Sequence, residues 1–503
     1  MARAHPQPTA AGQKQVLVIG AGLGGLSAAI RLAAAGFRVT VLEQQERPGG
    51  KLQRIEAGGY RFDRGPSTIT MLHRFREVFA TAGRRMEDYI QTYPLAPAAR
   101  NIFADGTQVD LSSSAETMEE QMAAYSPHDA KAYRLFLEEA KRLYELSEQH
   151  FLNKLLLGWR DKLNPNLAAA FMSIRPFTPM NKLLARYFRH PHTLAMFGRY
   201  ATYVGSSPYE APALFAMLAH VEGSLGIYGV KGGTYEIVSA FARLAAELGV
   251  ELRTGTAVRR IVVRGGRAVA VETDDATYAP DLVLANRDVL EVYGSLLEES
   301  ARPSMPQRRL ERYEPSLSGF VQLLGVSRRY DRLLHHTVFF PERYEEEFEA
   351  IFKLKQPPRE PTLYICNPAA SLEPVAPAGG SSLFVLANAP YLSESWDWEE
   401  QAGSYRELVL QRLQRLGLEG VNEAEVSLTY TPLQLHRDTG AYKGAIYGIS
   451  SNTPAQTFLR PSNRSRDIDN LWFVGGTTHP GGGTPIVVQS GQLVAERMIE
   501  LYQ

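Results

Sequence analysis

Residues Gln15–Gly25 read Q-V-L-V-I-G-A-G-L-G-G. The first five form a short apolar run rich in β-branched residues, the composition of a parallel strand buried on both faces. Gly20–Gly25 follows, and then Leu26–Ala35, an Ala-rich segment that reads as a helix stopped by Gly36. Phe37–Leu42 (FRVTVL) is the next strand. A strand, a helix and a second strand are thus complete within about 30 residues, the size of a βαβ unit.

A GxGxxG match alone is weak. Here Gly20-Ala21-Gly22-Leu23-Gly24-Gly25 follows a strand and opens a helix, and Glu43 ends the next strand 23 residues after Gly20. In that setting it is a dinucleotide-binding fingerprint. Gly20 permits the tight turn, Gly22 clears the approach of a pyrophosphate, and Gly25 lets helix and strand pack closely. The helix N-terminus offers free N–H groups and the positive end of a dipole. Glu43 can accept hydrogen bonds from a ribose. The bland alternative is a glycine-rich turn with no ligand.

Working outward, later segments read as returns to the same sheet. They are a helix at Ile237–Leu248, strands at Ala257–Val263, Asp281–Ala285 and Asn470–Val474, and a final helix at Pro485–Leu501. Pro485 suits a first helical turn. Residues 95–215 are rich in helical patterns, aromatics and basic residues. Residues 305–440 mix strands (Gly319–Val326, Ser382–Ala387, Val426–Tyr430) with Pro-rich loops. The expected architecture is α/β: a Rossmann-type nucleotide-binding domain in three pieces (14–94, 216–304 and 441–503) with an α+β substrate region inserted twice (95–215 and 305–440). Residues 1–13 read as a disordered lead.

Bulk properties narrow the function. The 503 residues carry 54 Lys and Arg against 54 Asp and Glu, so net charge does not favour nucleic acid. One cysteine, Cys366, excludes an intrachain disulfide framework and a cysteine-based zinc cluster, and no metal site is expected. The N-terminus lacks the apolar core of a signal peptide, and no run of about 20 apolar residues occurs. Any membrane role is therefore peripheral, and a cytoplasmic, membrane-associated protein is expected. Residues 151–189 supply a candidate surface: Phe151, Trp159, Phe171, Phe177 and Tyr187 are interleaved with Lys154, Arg160, Lys162, Arg175, Lys182, Arg186 and Arg189, with Asp161 the only acid. Basic, aromatic, amphipathic segments suit anionic lipid. The alternative is an ordinary amphipathic helix on the core.

Five further motifs carry a family resemblance. Arg47-Pro48-Gly49-Gly50-Lys51 resembles the extended dinucleotide motif of the flavoprotein family that includes amine oxidases, Rab GDP-dissociation inhibitors and carotenoid desaturases. That family usually ends the motif in Arg; Lys51 keeps the charge without the planar fork. Tyr60–Thr68 (YRFDRGPST) resembles a carotenoid desaturase segment that passes beside the flavin, implying roles for Gly65, Pro66, Ser67 and Thr68. Tyr203–Pro212 (YVGSSPYEAP) and Gly226–Tyr235 (GIYGVKGGTY) resemble the same enzymes. Asn470–Gly483 (NLWFVGGTTHPGGG) is similar to their flavin-side turn, especially in the branch acting on C30 diapocarotenoids and their terminal methyls.

The resemblance implies FAD, held by the first two turns, by Val258 at the adenine, and by Gly475, Gly476, Gly482, Gly483, Thr484, Pro485 and Ile486 at the ring. It implies a carotenoid precursor as substrate, desaturated by hydride transfer, with oxygen or a quinone as final acceptor. Taking a hydrocarbon of roughly 30–40 carbons from bilayer to water costs on the order of 20–30 kcal/mol at about 0.8 per CH₂, so the enzyme is expected to draw it from the membrane. His479 and Glu210 are candidate acid–base residues, each weighed against a structural role. Rival activities are terminal-methyl oxidation, double-bond isomerisation, amine oxidation and non-enzymatic isoprenoid binding. Amine oxidases usually carry an acid after the strand glycine, where this chain has Gly476.

Overall fold

The computed structural model describes residues 13–157, 165–372 and 374–503. Most of the expected lead, and Trp159, Arg160, Asp161 and Lys162 of the basic aromatic segment, lie outside the described residues.

The βαβ unit forms as read, with strands Gln15–Ile19 and Arg38–Leu42 around helix Leu23–Ala34. Residues separated by two hundred positions or more complete its sheet. Five parallel strands stand in the order 471–473, 282–285, 15–19, 38–42, 251–253. Val16 pairs with Leu282 on one side and with Val39 on the other. Leu282–Ala285 is buried throughout, which is why it reads as an unbroken apolar run. The chain leaves the central strand to one side first and returns later on the other. Its carboxyl end therefore faces the crevice where α/β sheets bind ligands.

The final helix, Thr484–Tyr502, packs on the first helix. Contact is close because both are small-residue surfaces: a Cβ on Gly491 would run into the carbonyl oxygen of Gly24. Ser27 Oγ donates to the Val488 carbonyl at 2.8 Å, and Gln492 Nε2 donates to the Ser27 carbonyl at 2.9 Å. The two ends of the chain are thereby locked together.

A second sheet has seven strands, in the order 426–430, 318–326, 381–389, 363–366, 336–339, 99–102, 108–111. It is antiparallel except where Thr337–Phe339 runs parallel to Arg100–Ile102. The last two strands come from the stretch whose composition reads as helical; that reading overlooked them. Ala99–Ile102 and Gln108–Leu111 are four residues each, too short for alternation to declare itself; they pair with each other, and the 336–339 strand joins Ala99–Ile102 to the rest of the sheet. Helices between 115 and 225 pack over one end around an apolar cluster that includes Phe136, Phe188, Phe197 and Tyr200.

Candidate active site

One cavity of about 530 Å³ runs between the parallel sheet and the helical cluster. Its polar end is built from turns. Gly20 donates its N–H to the Leu42 carbonyl at 2.7 Å, closing the first turn across the next strand. Gly49 donates to the Ala21 carbonyl at 2.9 Å, so the second turn lies directly on the first. Gly50 takes a left-handed φ of +59°, and a Cβ there would sit 3.3 Å from the Gly22 Cα. Glu43 is buried. Its carboxylate accepts the Ala21 N–H at 2.8 Å and the Gln45 N–H at 2.9 Å. Burial pushes its pKa up, opposed by those backbone donors.

The structure brings the sequence candidates together. Gly20, Gly22, Gly24, Glu43, Gly49, Gly50, Lys51, Gly65–Thr68 and Val258 all line this cavity, as do Gly475, Gly476 and Gly482–Ile486 from the far end of the chain. Gly25 is set behind the wall, and a Cβ on it would collide with the Gly20 carbonyl, as expected of a helix–strand packing glycine. Glu210 is not brought in; it is exposed and away from the cavity lining. His479 lines the cavity, with Nε2 donating to the carbonyls of Phe151 at 2.9 Å and Lys154 at 2.8 Å. A ring nitrogen that donates has no lone pair to offer, so in this arrangement His479 ties the segment at 151–154 to the turn.

Three functional positions escape the sequence reading. Asn286 sits at the hub of the glycine turns: its side chain lies 2.8 Å from the place of a Cβ on Gly22, 3.0 Å from that on Gly24 and 3.2 Å from that on Gly475. Its Oδ1 is buried without a hydrogen-bond partner among the described residues. Asp288, two residues on, caps a short helix through the Leu290 N–H at 3.0 Å. Burial raises its pKa and the Lys51 charge opposes that. Both follow the carboxyl end of a parallel strand, the signal that would have found them. Arg460 donates to the Gly476 carbonyl at 3.0 Å and to Ser451 Oγ at 2.9 Å. Burial pushes it down to about 10, so it stays charged at neutral pH. No local pattern marks it.

Lys51 is buried and donates to the Ala445 and Ile446 carbonyls. Burial drives it down to about 8, with Asp288 opposing. From the helical cluster the cavity's other end takes the apolar Leu156, Leu214, Phe215, Met217, Leu218 and Val221, together with Tyr144, Ser147, Arg199, Thr202 and Tyr203.

The polar end fits a dinucleotide. Helices Leu23–Ala34 and Thr484–Tyr502 both begin at glycines with no side-chain cap, leaving their amino ends open to an anionic ligand. The family of flavin-containing amine oxidoreductases matches residues 23–499. The 4,4'-diapolycopene oxygenase of a Methylomonas species is 37% identical, over 97% of this chain and 98% of its own. The zeta-carotene-forming phytoene desaturase of Myxococcus xanthus is 33% identical, over 97% and 94%. The chain belongs to the flavin-containing amine oxidoreductases, in their bacterial carotenoid desaturase branch. Its cofactor is FAD and it is an oxidoreductase. The solved structure of the cyclohexylamine oxidase of Brevibacterium oxydans shares the fold, with a TM-score of 0.60 at 15% identity over 97% of this chain and 99% of that one.

Proposed function

We propose that this flavoprotein oxidises a terminal methyl group of a long, apolar C30-type polyene. The observation that carries the proposal is one continuous cavity whose glycine-built end fits FAD and whose far end carries a cluster of Leu, Met, Phe and Val side chains. FAD would supply a two-electron acceptor that no side chain can provide; taking CH₃ to CHO requires two such oxidations, with the oxygen atom drawn from O₂ or water and the reduced flavin reoxidised by O₂ or a quinone. The first two turns would hold the dinucleotide, Glu43 its ribose, and the Gly475–Ile486 turn its ring. Carbon-bound hydrogen on a hydrocarbon needs positioning and exclusion of water more than acid–base residues. The apolar walls suit that demand, and the acids on the lining (Glu43, Asp288 and Asp438) belong to the polar end. In this reading the two inserted stretches hold the substrate and the three-piece region holds the cofactor.

The relative at 37% identity is named an oxygenase, which favours terminal-methyl oxidation. The phytoene desaturase at 33% keeps in-chain desaturation as the second reading. Expression in cells that make diaponeurosporene or diapolycopene, followed by pigment analysis, separates them. Terminal oxidation gives aldehydes with the double-bond count unchanged. New double bonds without oxygen would overturn it.

The proposed route of entry is a membrane. No described helix is long and apolar enough to cross one. Phe177 is 70% exposed, Met172 62% and Leu459 59%. Phe177 meets Phe171 edge-on with centroids 6.0 Å apart, and Phe171 meets Phe458 at 4.8 Å. Phe458 lines the cavity, so this aromatic ladder links an apolar, Arg- and Lys-flanked surface to the interior.

A further inference from the structure

His335 and His336 precede and open the strand His336–Phe339, and Cys366 ends its neighbour Leu363–Cys366. The strands are antiparallel, and His336 pairs directly with Cys366. Their side chains therefore project from the same face of the sheet. One ligand-capable atom from each of His335, His336 and Cys366 falls within 4.8 Å of the others. His336 and Cys366 are buried, and His335 is partly so.

Each imidazole is already oriented through its Nδ1. His336 Nδ1 is bonded to the Tyr364 hydroxyl at 2.7 Å, and His335 Nδ1 to the Ser371 hydroxyl. Such outer partners commonly fix the ring of a metal-ligating histidine. The ring nitrogens left over are the Nε2 atoms. His336 Nε2 is buried with no hydrogen-bond partner among the described residues, an arrangement that costs about 1–3 kcal/mol unless something satisfies it. A void of about 40 Å³ lies beside the cluster, lined by His335 and Cys366.

We propose that His335, His336 and Cys366 form a binding site for one zinc-class divalent ion, with a fourth coordination position open. Two imidazoles and a thiolate are borderline-soft donors, the set that selects zinc over calcium or magnesium. Tetrahedral zinc holds such ligand atoms about 3.4–3.6 Å apart, so closing on the ion draws these side chains in by about 1 Å. The Cys366 thiol loses its proton to solvent on binding. The donor set is histidine-led, which a count of one cysteine does not address. Through Tyr364, whose hydroxyl also bonds Ser67 Oγ at 2.6 Å on the wall of the FAD cavity, the ion would steady that wall. The site rests on this cluster alone and does not depend on which carotenoid is the substrate.

The test is equilibrium dialysis of the untagged, FAD-loaded protein against micromolar Zn²⁺, with metal counted per chain after gel filtration. The wild type is expected to retain about one zinc, and Cys366→Ser and His336→Gln to lose at least tenfold in affinity. His335→Ala alters a partly exposed residue and serves where the buried variants fail to fold; flavin content reports folding in each. No retained zinc in the wild type overturns the proposal. So does equal retention by well-folded variants, which marks an adventitious ion only.

Discussion

The carboxylate of Glu43 accepts the backbone N–H of Ala21 at 2.8 Å, joining the end of the second strand to the middle of the first glycine turn. This bond holds the turn's shape while leaving its glycines facing the cavity. Glu43→Ala leaves a buried amide without a partner, at a cost of about 1–3 kcal/mol. The expected result is a lower melting temperature together with weaker retention of FAD, read from flavin absorbance after gel filtration. A variant that keeps full flavin occupancy through dilution would contradict the role given to Glu43.

Close packing of the two chain ends makes a second prediction. Gly491→Val places a branched side chain against the Gly24 carbonyl and Ser27. Overpacking of this kind costs about 1–3 kcal/mol, and here it also pushes apart the helices that begin at the two flavin-side turns. Urea denaturation should show the loss of stability, and flavin content should fall with it. Gly403→Ala, on an exposed helix position with no described atom within 4 Å, is the control; it should raise stability by about 0.5–1 kcal/mol and leave flavin content unchanged.

Lys51 gives a pH-dependent outcome. Burial lowers its folded pKa to about 8, below its unfolded value. The neutral form is therefore the one the fold prefers. Its contribution to stability is present above the unfolded pKa and is lost as pH falls through about 8. Flavin-free wild type should gain in melting temperature, relative to Lys51→Met, between pH 7 and pH 9.5 by roughly a few degrees. Parallel pH curves for the two proteins would refute this.

Arg460 spans Gly476 and Ser451 through two hydrogen bonds from one guanidinium. Arg460→Ala removes the donor to the Gly476 carbonyl and leaves a gap in the cavity wall. Flavin affinity should weaken about tenfold, the equivalent of about 1.4 kcal/mol, whereas Arg460→Lys should recover part of it. Flavin titration by fluorescence quenching measures both.

The proposed mouth is tested on lipid. Replacing exposed Phe177 and Met172 with Ser removes two apolar side chains, each worth about 1.5–3 kcal/mol if fully buried in a bilayer. Partial burial still predicts at least a tenfold fall in co-sedimentation with anionic vesicles. Turnover of detergent-solubilised substrate should stay within about twofold. Unchanged vesicle binding would move the membrane contact elsewhere.

The glycine turns, Glu43 and the final strand–turn–helix were legible in the sequence because each signal is local: a turn, a strand period and a helix start fall within a few residues. Chain order alone also placed Leu282–Ala285 and Leu471–Phe473 as buried strands, since a parallel strand covered on both faces is apolar at every position. Other features were decided only by the tertiary structure. Ala99–Ile102 became strand because Thr337–Phe339 offered it an edge. Asn286 became the hub of the first and last glycine turns because three parallel strand ends meet there. Arg460 entered the cavity, Glu210 stayed outside it, and His336 came to face Cys366 across a pair of strands. Each depends on contacts between residues far apart in the chain, and no short window of sequence contains both partners.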